Sequence, residues 1–390
     1  MHQTTTKRIM IAIAAGGLIV GLTACSGPAS TDDSQSSGKG SPAIVEEMKS
    51  FIAENSVEPE FKKPGPSVDA RKVAGKTIAI VAIDLRVPAL ADVVKYAKEA
   101  AEKLDLKITV YDAKSQATGM QQGMQQAINN GADAIISDGL AIAVVKKEIK
   151  AAKDKGIPTV DVINTPPVRD VDGQGSDPNI FGNMSPDSNL AGQLIAATSI
   201  VHTNGKAKVA LMNTSELTAS PTLFKSMKST LAQCAGCKVV TETDTALNDW
   251  STELPGLAAT TVRSHPDVNF LLPMYDAMGI FATAGVQQAA ATGKVYIASQ
   301  DGTPAALSLV KKGDIFVADV AKSTSWAAWG AMDQAMRGIL EMKPADPVLP
   351  VRYVDTDALK DVDTKSSDSV DAALFGDGYR VGYLKLWGLS

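Results

Sequence analysis

The stretch YIASQDGTPAALSLVKKGDIFVADV, residues 296–320, passes from an apolar run into an acid and a glycine, Asp301 and Gly302, and then directly into a helical pattern. A strand that turns at once into a helix is the repeating unit of an α/β sheet. The carboxylate in the turn has two readings. It can cap the helix, accepting hydrogen bonds from the free N–H groups while Gly302 permits the bend. Alternatively, it can face a ligand, because open α/β sheets bind their ligands outside the carboxyl ends of the strands.

The same grammar runs outward from this stretch in both directions. TIAIVAI (77–83), KITVYDA (107–113), ADAIISD (132–138) and PTVDVIN (158–164) are β-branched, apolar runs of the kind buried on both faces of a parallel sheet. Amphipathic helices separate them. In one, Val94, Ala97, Ala101 and Leu104 share a side; in another, Met120, Met124 and Ile128 recur at four-residue spacing and belong to the core. After the polar stretch RDVDGQGSDPN the pattern restarts with KVALMNT (208–214), KVVTETD (238–244), VNFLLPMYD (268–276) and KVYIAS (294–299). The fold class is therefore α/β: two doubly wound parallel-sheet lobes with a ligand cleft between them. Asp138, Asn164, Asp276 and Asp301 all stand at strand carboxyl ends.

The N-terminus MHQTTTKRIMIAIAAGGLIVGLTAC has two basic residues, Lys7 and Arg8, an apolar run from Ile9 to Leu22 and then small residues. This is the layout of a cleaved secretory signal, residues 1–24. Leu22-Thr23-Ala24-Cys25 resembles the lipobox of bacterial lipoproteins, which implies that Cys25 is lipidated and that the protein is extracytoplasmic, anchored to the bacterial membrane; the other reading is an incidental cysteine beside an ordinary cleavage site. Residues 25–75 read as a tether and connector, Ser- and Gly-rich up to Ser41 and Pro-rich towards Pro66, and are expected to be peripheral. Cleavage removes two basic residues and no acid from a chain of formal charge −5, so the body is mildly acidic and lacks the basic face of a nucleic-acid binder.

Cys234 and Cys237 form a C-x-x-C motif. Outside the membrane it reads as a small structural disulfide, since no second pair or nearby histidine completes a metal set; redox work is the alternative. G-x-S-x-G, H-E-x-x-H, P-loop and G-x-G-x-x-G motifs are all absent, and His202 and His265 lie at helix boundaries. The chain reads as a binding protein rather than an enzyme, with no metal or cofactor.

From Lys76 to Leu340 the order of TIAIVAIDLRVPAL, AINNGADAIISDGL, AAKDKGIPTVDV, RSHPDVNFLL and SQDGTPAALSLVKKGDIFVADVA resembles the type I periplasmic solute-binding proteins, the ribose- and galactose-binding branch serving ABC transporters. A repressor of the lactose type would share the body but not this N-terminus. The resemblance implies three crossover strands near Gly182, Lys322 and Val351, an N-terminal lobe of 76–182 plus 323–351 and a C-terminal lobe of 183–322 plus 352–390. It also implies a monomer that closes on a small solute and presents it to a membrane permease. Carried over by position, the pocket comprises Arg86, Val87, Ala89, Leu90, Asp138, Gly139 and Asn164 from one lobe, with Trp250, Tyr275, Asp301 and Lys322 from the other. Ala89 and Leu90 replace the aromatic pair of sugar binders, Ile163 and Asn164 replace an Asp-Arg pair, and an expected arginine falls near Leu223. Carbohydrate is the first reading of the solute; a nucleoside, an aromatic or a signalling molecule is the second. Arg86, Lys322 and Asp301 either grip it or pair among themselves, since an unpaired buried charge is costly. The tail, residues 355–390, is unassigned beyond packing of Tyr379, Tyr383 and Trp387.

Overall fold

Strand burial tracks position in the sheet. The computed structural model describes residues 41–165, 177–345 and 347–389; the signal segment, Cys25 and the Ser/Gly-rich tether lie outside them. In the first lobe β1 (Thr77–Ala82) is almost wholly buried, whereas β2 (Lys107–Asp112) is half exposed at the edge. β3 (Ala134–Asp138), β4 (Thr159–Val162) and β5 (Gly182–Pro186) follow, all buried. The second lobe holds β6 (Lys208–Asn213), β7 (Lys238–Asp244), β8 (Phe270–Pro273), β9 (Tyr296–Asp301) and β10 (Phe316–Lys322). Two late strands, β11 (Val348–Leu349) and β12 (Val351–Asp355), complete one sheet each. The orders are β11-β5-β4-β3-β1-β2 and β12-β10-β9-β8-β6-β7, parallel throughout except that β12 runs antiparallel to β10. In each sheet the winding reverses beside the first strand, which opens a crevice at the strand carboxyl ends.

The chain passes between the sheets at single residues. Asp187 follows β5, and its side chain accepts from the N–H groups of Asn189 and Leu190 as it starts helix Ser188–His202, which packs on the second sheet. Ser323 follows β10, and its hydroxyl accepts from Trp326 N–H as it starts helix Thr324–Ile339, which packs on β3, β4 and β5. Pro350 separates β11 from β12. The first crossover strand, expected near Gly182, is β5, which begins at Gly182; the chain leaves the first lobe at Asp187, so that lobe runs to Pro186 rather than to residue 182. Gly182 has a packing reason: a Cβ there would sit 3.0 Å from Oε1 of Gln334, so the missing side chain lets helix Thr324–Ile339 approach.

Two further segments span the lobes. Helix Ser41–Glu54 is not peripheral: Ile44, Val45 and Met48 are buried, and it packs on helix Ser188–His202 of the second lobe. The chain then crosses to the first lobe, where Phe61 packs on Trp326 and Tyr383 and Val68 N–H donates to Leu386 O at 2.9 Å. At the other end, Lys311 donates to Val362 O in the second lobe at 2.8 Å, after which Asp368 accepts from Lys95 and from Tyr96 of the first lobe, each at 2.8 Å. Helices Ser367–Phe375 and Gly378–Leu386 thus belong with the first lobe, not with residues 352–365. Tyr379, Tyr383 and Trp387 are fully buried, with Trp387 stacked on Trp329 and donating to Asp333, which is itself paired with Arg337 at 2.7 Å. Cys234 and Cys237 are bonded to each other in the turn before β7.

Candidate functional site

The crevice ends of the two sheets face each other and enclose two adjoining chambers. The inner one, of ≈ 60 Å³, takes Ile83, Val87, Ala89, Leu90, Ile163 and Asn164 from the first lobe. From the second lobe come Leu217, Leu247, Trp250, Tyr275, Asp301 and Lys322. The outer one, of ≈ 370 Å³, lies between the turn after β1 and the start of helix Asp276–Gln288, and Val87, Ala89, Leu247, Trp250, Ala277 and Asp301 line both.

The first wall is apolar with a single amide. Asn164 donates to Leu140 O at 2.5 Å and across the cleft to Thr218 Oγ1 at 3.3 Å. Asp138 does not reach the wall: it is wholly buried on the sheet face of Ile136, and Gly139 takes the place at the cavity. Among the described residues neither Asp138 oxygen has a hydrogen-bond partner, and burial first, with the charge of Asp161 second, pushes its carboxyl well above the usual range. Ile163, the last wall residue, is held at φ 58°, an outlier for a β-branched side chain.

The second wall carries the charges. Asp301 closes β9 at φ 142°, followed by Gly302 at φ +76°, where a Cβ would meet that of Ala321 at 2.8 Å. Asp301 pairs with Lys322, and both are almost completely buried. Burial pushes the Asp301 carboxyl up against the pull of the Lys322 ammonium. The helix-cap role belongs to another acid. Asp276 accepts from Thr303 N–H at 2.7 Å, Thr303 Oγ1 at 2.7 Å and Ser299 Oγ at 2.6 Å, so it holds the turn while Asp301 is left free to line the cavity. Behind them Asp319 accepts from Gly302 N–H at 3.0 Å, and burial followed by the Asp276 charge pushes its carboxyl well above the usual range. Trp250 donates from its indole to Thr245 O at 3.2 Å and lies nearly parallel to Tyr275, centroids 6.1 Å apart; Tyr275 shares its hydroxyl with Ser220.

Arg86 stands at the mouth of the outer chamber rather than inside the inner one. Its guanidinium grips Asp84, which also accepts from Ser115 Oγ at 2.6 Å; burial pushes the Asp84 carboxyl up, but these bonds outweigh it and hold it down at about 2. Arg86 also donates across the cleft to Asn248 at 3.3 Å, and Asn248 donates back to Ser115 O at 3.3 Å. Of the three charges named from sequence, Lys322 and Asp301 pair with each other, while Arg86 pairs with Asp84, which the sequence had not singled out.

A family model described as a periplasmic binding protein domain matches residues 78–339. The chain belongs to the periplasmic binding protein family. In sequence, no curated protein matches it at a significant level. Among solved structures it is similar to a 5-methylthioribose transporter solute-binding protein from Thermotoga lettingae, with TM-score 0.69, 19% identity and coverage of 81% of this chain and 99% of that one. It is also similar to a Bacillus halodurans ABC transporter solute-binding protein with bound myo-inositol, with TM-score 0.67, 19% identity and coverage of 75% and 99%. A galactofuranose binding protein gives TM-score 0.65 and 17% identity over 76% and 98%. At these identities the likeness is one of fold. Within this periplasmic binding protein, Leu217, Leu247, Ala277, Ile280 and Phe281 are cavity residues that no motif had indicated. Leu223, where an arginine was expected, is a core residue with no exposure.

Proposed function

We propose that this periplasmic binding protein captures a sugar or sugar-like solute between its lobes and delivers it to the membrane permease of an ABC transporter. One observation carries the reading: the cavity wall is shared, with the polar groups Tyr275, Asp301 and Lys322 on one lobe and the apolar face of Val87, Leu90 and Ile163 on the other. Each lobe covers only part of the cavity, so the joined arrangement makes contacts that the separated one lacks, and that differential affinity is what drives closure. In this proposal Asp301 and Lys322 hydrogen-bond hydroxyls, Trp250 covers an apolar C–H face, Asn164 contributes its free amide oxygen, and Arg86 latches the mouth through Asn248. The proposal extends to export by the signal segment, lipidation at Cys25, a monomeric state and attachment to the outer face of the membrane. Radiolabelled palmitate should enter the native chain in its host and not the Cys25→Ala variant.

The test of the solute is a thermal-shift screen of residues 41–390 against sugars, polyols, nucleosides and small aromatics. Ligand at 100 times its dissociation constant stabilises by about 2.7 kcal/mol, a readable rise in melting temperature. Sugars should lead. Hits confined to nucleosides or aromatics, the reading favoured by the apolar first wall, would remove the carbohydrate assignment.

A further inference from the structure

The outer chamber is poor in groups able to serve a hydroxylated ring. Apart from Ser251 at the exposed rim and Asp301, which it shares with the inner chamber, its polar side chains are engaged with one another or with neighbours: Asp84 with Arg86, Asn248 with Ser115, and Thr303 Oγ1 with Asp276. What it offers is apolar surface from Val87, Pro88, Leu247, Ala277, Ile280 and Phe281. It opens directly from the inner chamber past Trp250 and Asp301, and at ≈ 370 Å³ it is the larger of the two, the inner being ≈ 60 Å³. Its rim, at Arg86, Pro88 and Ser251, is exposed. Water there would contact hydrocarbon with few hydrogen-bonding partners, a condition that favours displacement by an apolar group.

From this we infer that the solute is a substituted sugar, carrying a short apolar group, alkyl or aryl, that fills the outer chamber while its ring meets Tyr275, Asp301 and Lys322. The inference rests on the solute-capture reading above and deepens it. It makes the neutral ion pair of Asp301 and Lys322 the reader of the ring, and Ile280 and Phe281 the readers of the substituent. Because those two charges cancel, the site favours a solute without net charge.

The experiment is calorimetric titration of residues 41–390 with ribose, arabinose and galactose, each compared with its methyl, ethyl and propyl glycosides. Each methylene buried in the chamber should strengthen binding about fourfold. For at least one sugar, affinity should therefore climb along the series, and Phe281→Ser, checked for native circular dichroism, should flatten the climb. A free sugar that binds as well as or better than its glycosides overturns the substituent while leaving sugar capture intact. Failure of every free sugar and every glycoside to bind overturns sugar capture and this inference with it.

Discussion

The turn that ends β4 and the turn that ends β9 are built on the same frame and present opposite chemistry. In the first, Asp161 accepts from Ser137 Oγ at 3.0 Å, Thr165 N–H at 2.7 Å and Thr165 Oγ1 at 2.8 Å. In the second, Asp276 accepts from Ser299 and from the same two groups of Thr303. Two residues before each threonine stands a residue at positive φ, Ile163 at 58° and Asp301 at 142°. Such conformations persist only where surrounding bonds over-determine them. The buried carboxylates provide that constraint, and the residue at the apex is then free to differ: isoleucine on one wall, a lysine-paired aspartate on the other. Specificity in this molecule resides in what the frame presents, while the bonding pattern recurs with the acid and the serine exchanged between the turn's own strand and its neighbour.

The comparison would break first on stability. Asp276→Ala and Asp161→Ala each strand buried donors, so each should cost about 3 to 5 kcal/mol in urea denaturation. If one costs less than half of the other, the frames are not equivalent. Next in size, Lys322→Met leaves Asp301 as a buried charge without its partner. We expect a loss of about 3 kcal/mol, roughly 150-fold in solute affinity by calorimetry; unchanged affinity would move the polar grip elsewhere. Trp250→Ala should weaken the same solute by about 2 kcal/mol while leaving the frame intact, the reverse of Asp276→Ala, whose effect belongs to folding.

The smallest effect is expected at Asp138. Its folded-state proton affinity is raised by burial and by Asp161, so the stability it contributes is present below the ordinary carboxylate value of 3.8 and is lost as pH rises through its folded value. Asp161, pushed up to about 6 chiefly by burial, acts in the same direction. Asp138→Asn should therefore leave solute affinity within about 0.5 kcal/mol of native. Its melting temperature should exceed the native one by a margin that widens between pH 4 and pH 8. A margin that narrows over this range would mean that the carboxylate has a partner in solution.

The lobes were legible in sequence because their signals are local. KITVYDA at 107–113 reads as a strand from its own residues, and the strand runs Lys107–Asp112. The place of Asp301 at a strand end was legible for the same reason, but the division of labour between it and Asp276 was not, since the two are brought together only by sheet pairing. Leu217 sits in a polar loop and Leu247 opens a single turn of 3-10 helix, and in neither place does a lone leucine have periodicity to mark it; an apolar residue just past a strand's carboxyl end was the signal to use. The tail escaped because its partners are remote in sequence: Lys95 and Asp368 are 273 residues apart. The crossover strand expected near Gly182 from the resemblance is β5, but the residue where the chain leaves it, Asp187, is marked only by its capping bonds to the next helix.

The docking of helix Ser41–Glu54 on helix Ser188–His202 decides which half of the molecule is the stator and which the rotor. The first described residues of the chain are packed on the lobe that carries Asp301 and Lys322, so an anchor at Cys25, as proposed, would be joined to that lobe first. With the lipid attachment proposed above, the charged half would be the one joined to the mount, and the greasy half, with Val87, Leu90 and Ile163, would be the one to swing.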